Sequence, residues 1–73
     1  MEAVEIKQLI EAGIPDAQVQ VLGDDGQHFE AHVISASFAG KSLLAQHKLV
    51  YATLGTSFEG VLHALSLKTS VPS

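Results

Sequence analysis

The chain contains no cysteine and no tryptophan. Without thiols it forms no disulfide, offers no thiolate nucleophile and cannot build a thiolate metal site alone, so any soft-metal chemistry has to borrow its sulfur from another molecule. Arginine is also missing: the basic residues are Lys7, Lys41, Lys48 and Lys68, against eight acidic ones, for a formal net charge of −4. Nonspecific nucleic-acid binding depends on neutralising phosphates with Lys and Arg, and this balance disfavours it. No apolar run is long enough to cross a bilayer. The start, Met1-Glu2-Ala3-Val4-Glu5, lacks the basic residues and apolar stretch of a secretory signal. A cytoplasmic location is the expectation. No nucleophile elbow is present, and no Ser, His and carboxylate form a recognisable catalytic pattern, so an enzyme is not expected.

What is present is a 73-residue chain that is 47% hydrophobic, enough for one small packed domain, 1–73. Val4, Ile6, Leu9 and Ile10 among Glu5, Lys7, Gln8 and Glu11 predict an amphipathic helix. It should end near Ala12, with Gly13 as a left-handed cap and Pro15 blocking continuation. Val19 and Val21 alternate with Gln18 and Gln20 in a strand over 16–22. Gly23-Asp24-Asp25-Gly26 supplies a turn, and Phe29 to Ile34 reads as the second strand of a hairpin with one polar face. Residues 35–41 read as a loop with a buried Phe38. Ser42 can cap a helix carrying Leu43, His47, Val50, Tyr51 and Leu54 on one stripe, which Gly55 closes. Thr56-Ser57-Phe58-Glu59 has capping-box spacing and predicts a further helical turn to about Leu62. A last strand covers 64–69, and 70–73 reads as a loose tail.

The expected order is α-β-β-α-α-β, an α+β domain with a three-stranded mixed sheet and its helices on one face. The helical connection between the second and third strands lets those strands lie parallel, so that their N-terminal ends coincide. His28 and His63 stand at the two starts, and neighbouring strands are about 4.8 Å apart, close enough for two imidazoles to converge on one metal. Taken alone, His63 is equally well explained as a partly buried strand residue at the end of a helical turn.

Other constellations are weaker. His28-x-Glu30-x-His32 places three donors on one strand face. Its ends lie roughly 13 Å apart, too far for both histidines to reach one ion at about 2.1 Å, so His32 is expected on the solvent face of the sheet. Gly40-Lys41-Ser42 resembles the end of a phosphate-binding loop, but Ser35 occupies the required first glycine position. Lys41 is either an anion or acidic-partner contact or a solvated lysine. His47 lies on an apolar stripe, where packing and hydrogen bonding are the expectation. There is no G-x-x-G backbone clamp.

Together, Gln27-His28-Phe29 after the hairpin turn, Phe38-Ala39-Gly40-Lys41-Ser42, Gln46-His47-Lys48-Leu49-Val50-Tyr51 and His63-Ala64-Leu65-Ser66-Leu67 resemble the BolA family in order and spacing over nearly the whole chain. The short, acidic chain and its Gly-Asp-Asp-Gly turn are more similar to the small BolA-like proteins of the IbaG/YrbA type. The resemblance implies a fold like that of type II K-homology domains. It also implies a monothiol glutaredoxin partner of the CGFS type and a [2Fe-2S] cluster shared with it. In such pairs the glutaredoxin cysteine and a bound glutathione supply sulfur, the histidine matching His63 is a ligand, and the second ligand is a Cys or His in the hairpin region, here His28. Histidine ligation of one iron raises the potential and makes it depend on imidazole protonation. On this reading the chain is an adaptor in iron–sulfur assembly, trafficking or iron sensing, and Lys41, Lys48 and Lys68 help dock the partner.

Two departures from the family stand out. Gln46 occupies a position where many relatives carry arginine. The chain also stops soon after the last strand, where many members continue into a Trp-containing helix. Two other readings remain: a nucleic-acid-binding regulator, suggested by the K-homology-like topology, and a mononuclear site using His28 and His63, which needs a dimer to be strong because one chain supplies only two ligands.

Overall fold

The computed structural model describes residues 2–23, 28–55 and 65–73. Helix α1 is Ala3–Gly13. It opens with a reciprocal capping box in which the Glu2 backbone N–H donates to Glu5 Oε1 at 3.0 Å, and it buries Ile6 and Ile10, one turn apart on a single face. Its end differs from expectation. Gly13 is the last helical residue and does not adopt positive φ; the chain leaves through Ile14, at φ −130°, whose N–H donates to the Ile10 carbonyl at 2.8 Å. The glycine is required for another reason. A Cβ there would lie 2.8 Å from Thr53 Cβ, so its absence lets α1 approach the second helix closely.

Strands β1 (Gln18–Leu22) and β2 (Phe29–Ile34) pair antiparallel, with Gln20 opposite His32. Strand β3 (Leu65–Ser70) lies parallel to β2, giving the order β1-β2-β3, a three-stranded mixed sheet. Alternation sorts its faces as the sequence predicts. Phe29, Ala31, Val33 and Leu65 turn into the core with Ile6, Ile10, Val50 and Leu54, while Gln18, Gln20, Glu30, Ser66 and Lys68 are exposed on the other face. Both helices therefore pack on one side of the sheet. Removing each large aliphatic or aromatic side chain from water contributes about 1.5–3 kcal/mol, which makes this alternation the main determinant of the sheet's orientation.

Residues 35–41 hold a 3₁₀ turn, Ala36–Phe38, with Phe38 fully buried. Helix α2 is Leu43–Leu54. Its Ser42 cap accepts from the Ala45 N–H at 3.1 Å, and Gly55 ends it at φ 63°, a conformation glycine adopts without strain. Val50 and Leu54 are buried as the stripe predicts, but Leu43 is 62% exposed. It has the angular phase of the core residues yet stands on the first turn, where nothing described covers it. Ser70, expected in the tail, is the last residue of β3: it pairs with Ile34, and its carbonyl accepts from Ser35 N–H at 3.0 Å. The predicted helical turn over 56–62, residues 24–26 of the predicted hairpin turn and His63 lie outside the described residues. No helix among the described residues is long and apolar enough to cross a membrane.

Candidate functional site

The parallel register fixes the edge on which the sequence places its candidate ligands. Phe29 pairs with Leu65, so the first residues of β2 and β3 lie side by side. His28 immediately precedes Phe29 and is exposed. His63 stands two residues before Leu65 in the sequence and lies outside the described residues. The parallel pairing inferred from the long crossover is thus present.

His28, Glu30 and His32 do not combine into a metal centre. Among the described residues no three His, Cys, Asp or Glu side chains come together. His32 lies on the outer sheet face as predicted, but it is half-buried there and its Nε2 hydrogen-bonds Ser70 Oγ at 3.0 Å. His47 packs on the apolar side of α2, its ring edge-on to Tyr51 with centroids 6.4 Å apart and planes at 84°. Among the described residues its buried Nε2 has no hydrogen-bond partner, so the expected packing is present while the expected hydrogen bond at that nitrogen is not seen there.

The lysines do not form one patch. Lys41 precedes α2 and Lys48 is exposed on that helix, whereas Lys68 is exposed on the outer face of the sheet, opposite His32. Gln46 has a structural task. Its amide donates to the Lys41 carbonyl at 2.9 Å and the Phe38 carbonyl at 3.4 Å, and Oε1 accepts from Thr69 Oγ1 at 2.6 Å. One side chain thereby ties the segment before α2 to β3.

A further polar cluster was not foreseen from the sequence. Asp16, expected to begin β1, lies instead in the turn before it and reaches the chain leaving β2. The fully buried Ser35 donates its hydroxyl to the Asp16 carboxylate, 2.9 Å from each oxygen, while Ala36 N–H donates at 3.0 Å and Ser37 Oγ at 3.2 Å. Ser37 N–H in turn donates to Ser35 Oγ at 3.0 Å. The Ser35 hydroxyl foremost, then the Ala36 and Ser37 donors, hold the Asp16 carboxyl below its ordinary value against a smaller opposing effect of desolvation. The available sequence signal was Ser35-x-Ser37 directly after a strand, a pattern suited to turn capping.

These features, a small α+β domain with a parallel β2–β3 pair and a histidine at its N-terminal edge, define the class. A family model described as BolA-like protein matches residues 6–73, and the chain belongs to the BolA-like family. It is similar to a BolA homologue from Coxiella burnetii, with 44% identity and a TM-score of 0.84 over 99% of this chain and 92% of that one. It is also similar to protein RP812 of Rickettsia prowazekii, 32% identical over 75 residues that cover 99% of this chain and 97% of RP812. SufE-like protein 1 of Arabidopsis thaliana is 42% identical over 52 residues, 70% of this chain. The chain spans only 14% to 50% of the length of the first curated relatives, SufE-like protein 1 being the longest by this measure.

Proposed function

We propose that this chain is an adaptor that binds a monothiol glutaredoxin and contributes half of the ligand set of a glutathione-ligated [2Fe-2S] cluster, in iron–sulfur assembly, trafficking or iron sensing. The observation that carries the reading is the Phe29–Leu65 pairing, which sets the start of β2, next to His28, beside the start of β3, two residues after His63 in the sequence. The donor set fits a half-site. His28 is an exposed imidazole at that edge, and a chain with no cysteine supplies no thiolate. Four terminal ligands are needed, so at least two must come from elsewhere. His28 and His63 would hold one iron, and their imidazoles would make its potential sensitive to protonation. The domain's occurrence as a 52-residue match within the much longer SufE-like protein 1 supports a module that works alongside other proteins.

The test is anaerobic mixing of the chain with a monothiol glutaredoxin, glutathione, iron and sulfide. The expected product is a heterodimer whose visible spectrum differs from that of the glutaredoxin homodimer. His63→Ala should abolish that difference, and His28→Ala should change the spectrum while leaving association of the apoproteins. An unchanged spectrum in both variants removes the ligand assignment.

A further inference from the structure

The outer face of the sheet holds an open depression of about 420 Å³ whose lining includes Gln20, Leu22, Glu30, His32, Ser66 and Lys68. Register orders these side chains in two rows. His32 is the cross-strand partner of Gln20 on one side and of Lys68 on the other, and Leu22, Glu30 and Ser66 form the next row on the same face. The first row carries nitrogen donors from all three strands: an amide, an imidazole and an ammonium. The bond from His32 Nε2 to Ser70 Oγ fixes the ring and leaves Nδ1 as the nitrogen available to a ligand. In the second row Glu30 is the charged group, flanked by a hydroxyl and an apolar surface. Among the described residues no hydrogen bond or ion pair engages the side chain of Lys68 or Glu30.

We infer that this depression binds a small zwitterion of the short-peptide class, its carboxylate on the Gln20–His32–Lys68 row and its ammonium on Glu30. Rows on one strand face are about 6.6 Å apart, a separation suited to the two ends of a di- or tripeptide. Leu22, 53% exposed at the rim, offers an apolar contact for a peptide side chain. A polyanion is disfavoured because Glu30, one row from Lys68, would repel its further charges. A bare cation is disfavoured by Lys68 in the same way.

The experiment is an amide chemical-shift titration of the ¹⁵N-labelled full chain with the dipeptide alanyl-leucine, with its N-acetylated and C-amidated forms, and with inorganic phosphate. The expected result is saturable shifts at Gln20, Glu30, His32, Ser66 and Lys68 with the dipeptide. Each capped form, and each of Lys68→Met and Glu30→Gln, should bind about tenfold more weakly, as loss of one charge-assisted contact implies. The same spectra report that the exposed-site variants remain folded. No saturable shift, shifts confined to the helical side, or equal shifts with phosphate would overturn the inference. No iron or glutaredoxin is present, so failure here leaves the cluster-sharing reading untouched.

Discussion

The two ends of the β2–β3 pair differ in what the described residues show of their polar groups. At the C-terminal end a connected set of polar groups is engaged by the fold. Asp16 gathers Ser35, Ala36 and Ser37, Gln46 joins Lys41, Phe38 and Thr69, and the Ser70 carbonyl closes on Ser35. At the N-terminal end, beside the Phe29–Leu65 pair, the structure displays an exposed imidazole on His28. A polar residue that satisfies a neighbour's backbone holds the chain together, whereas an exposed position at an edge is what a partner-facing ligand requires. The clamped end fixes the register that aligns the open one, because a slip of one residue would turn every inward side chain outward.

This contrast can be broken from the clamped end. Phe38 is its apolar anchor, and Phe38→Ala should destabilise the chain by about 3–5 kcal/mol, read as a lowered urea midpoint. Next in size, Gly13→Val forces a side chain into Thr53 and should cost about 1–3 kcal/mol by the same measurement. Ser35→Ala deprives Asp16 of its principal donor and Ser37 N–H of its acceptor, with an expected loss of about 1–2 kcal/mol. Because the Asp16 pKa is lowered on folding, its contribution is fully present above the ordinary value of 3.8 and disappears as pH falls through the lower folded value. Asp16→Asn should therefore flatten the stability profile on the acid side of pH 3.8 relative to the parent. The smallest change in stability belongs to the open end: at the exposed position of His28, His28→Ala should cost less than about 1 kcal/mol while altering the cluster spectrum of the mixed complex. A large loss of stability in that variant would make His28 a structural residue like those at the other end.

Much of the fold was legible because its signals are local. Alternation at Val19 and Val21 and at Phe29, Ala31 and Val33 assigns the faces of the hairpin, and Ser42 and Gly55 bracket α2 by capping chemistry. The residues that read differently depend on distant partners. Gly13 looks like a helix stop until Thr53 is found against it. Asp16 looks like the start of a strand, although its partners lie about twenty positions downstream and are recognisable only after β1 and β2 have paired. Leu43 follows the helical period, but period says nothing about whether the neighbouring layer extends far enough to cover the first turn. Of the candidate site, the parallel alignment was legible from the length of the crossover alone. The pairing of His32 with Ser70, which turns a solvent-face histidine into an oriented one, required the register.

The claim that this chain supplies imidazole ligands to a cluster completed by another protein is tested most directly by electron paramagnetic resonance of the reduced mixed complex, with only this chain carrying ¹⁵N-histidine. The account predicts ¹⁵N hyperfine coupling from two imidazoles, reduced to one in His28→Ala and in His63→Ala. A reduced cluster with no coupling from this chain's histidines would contradict it.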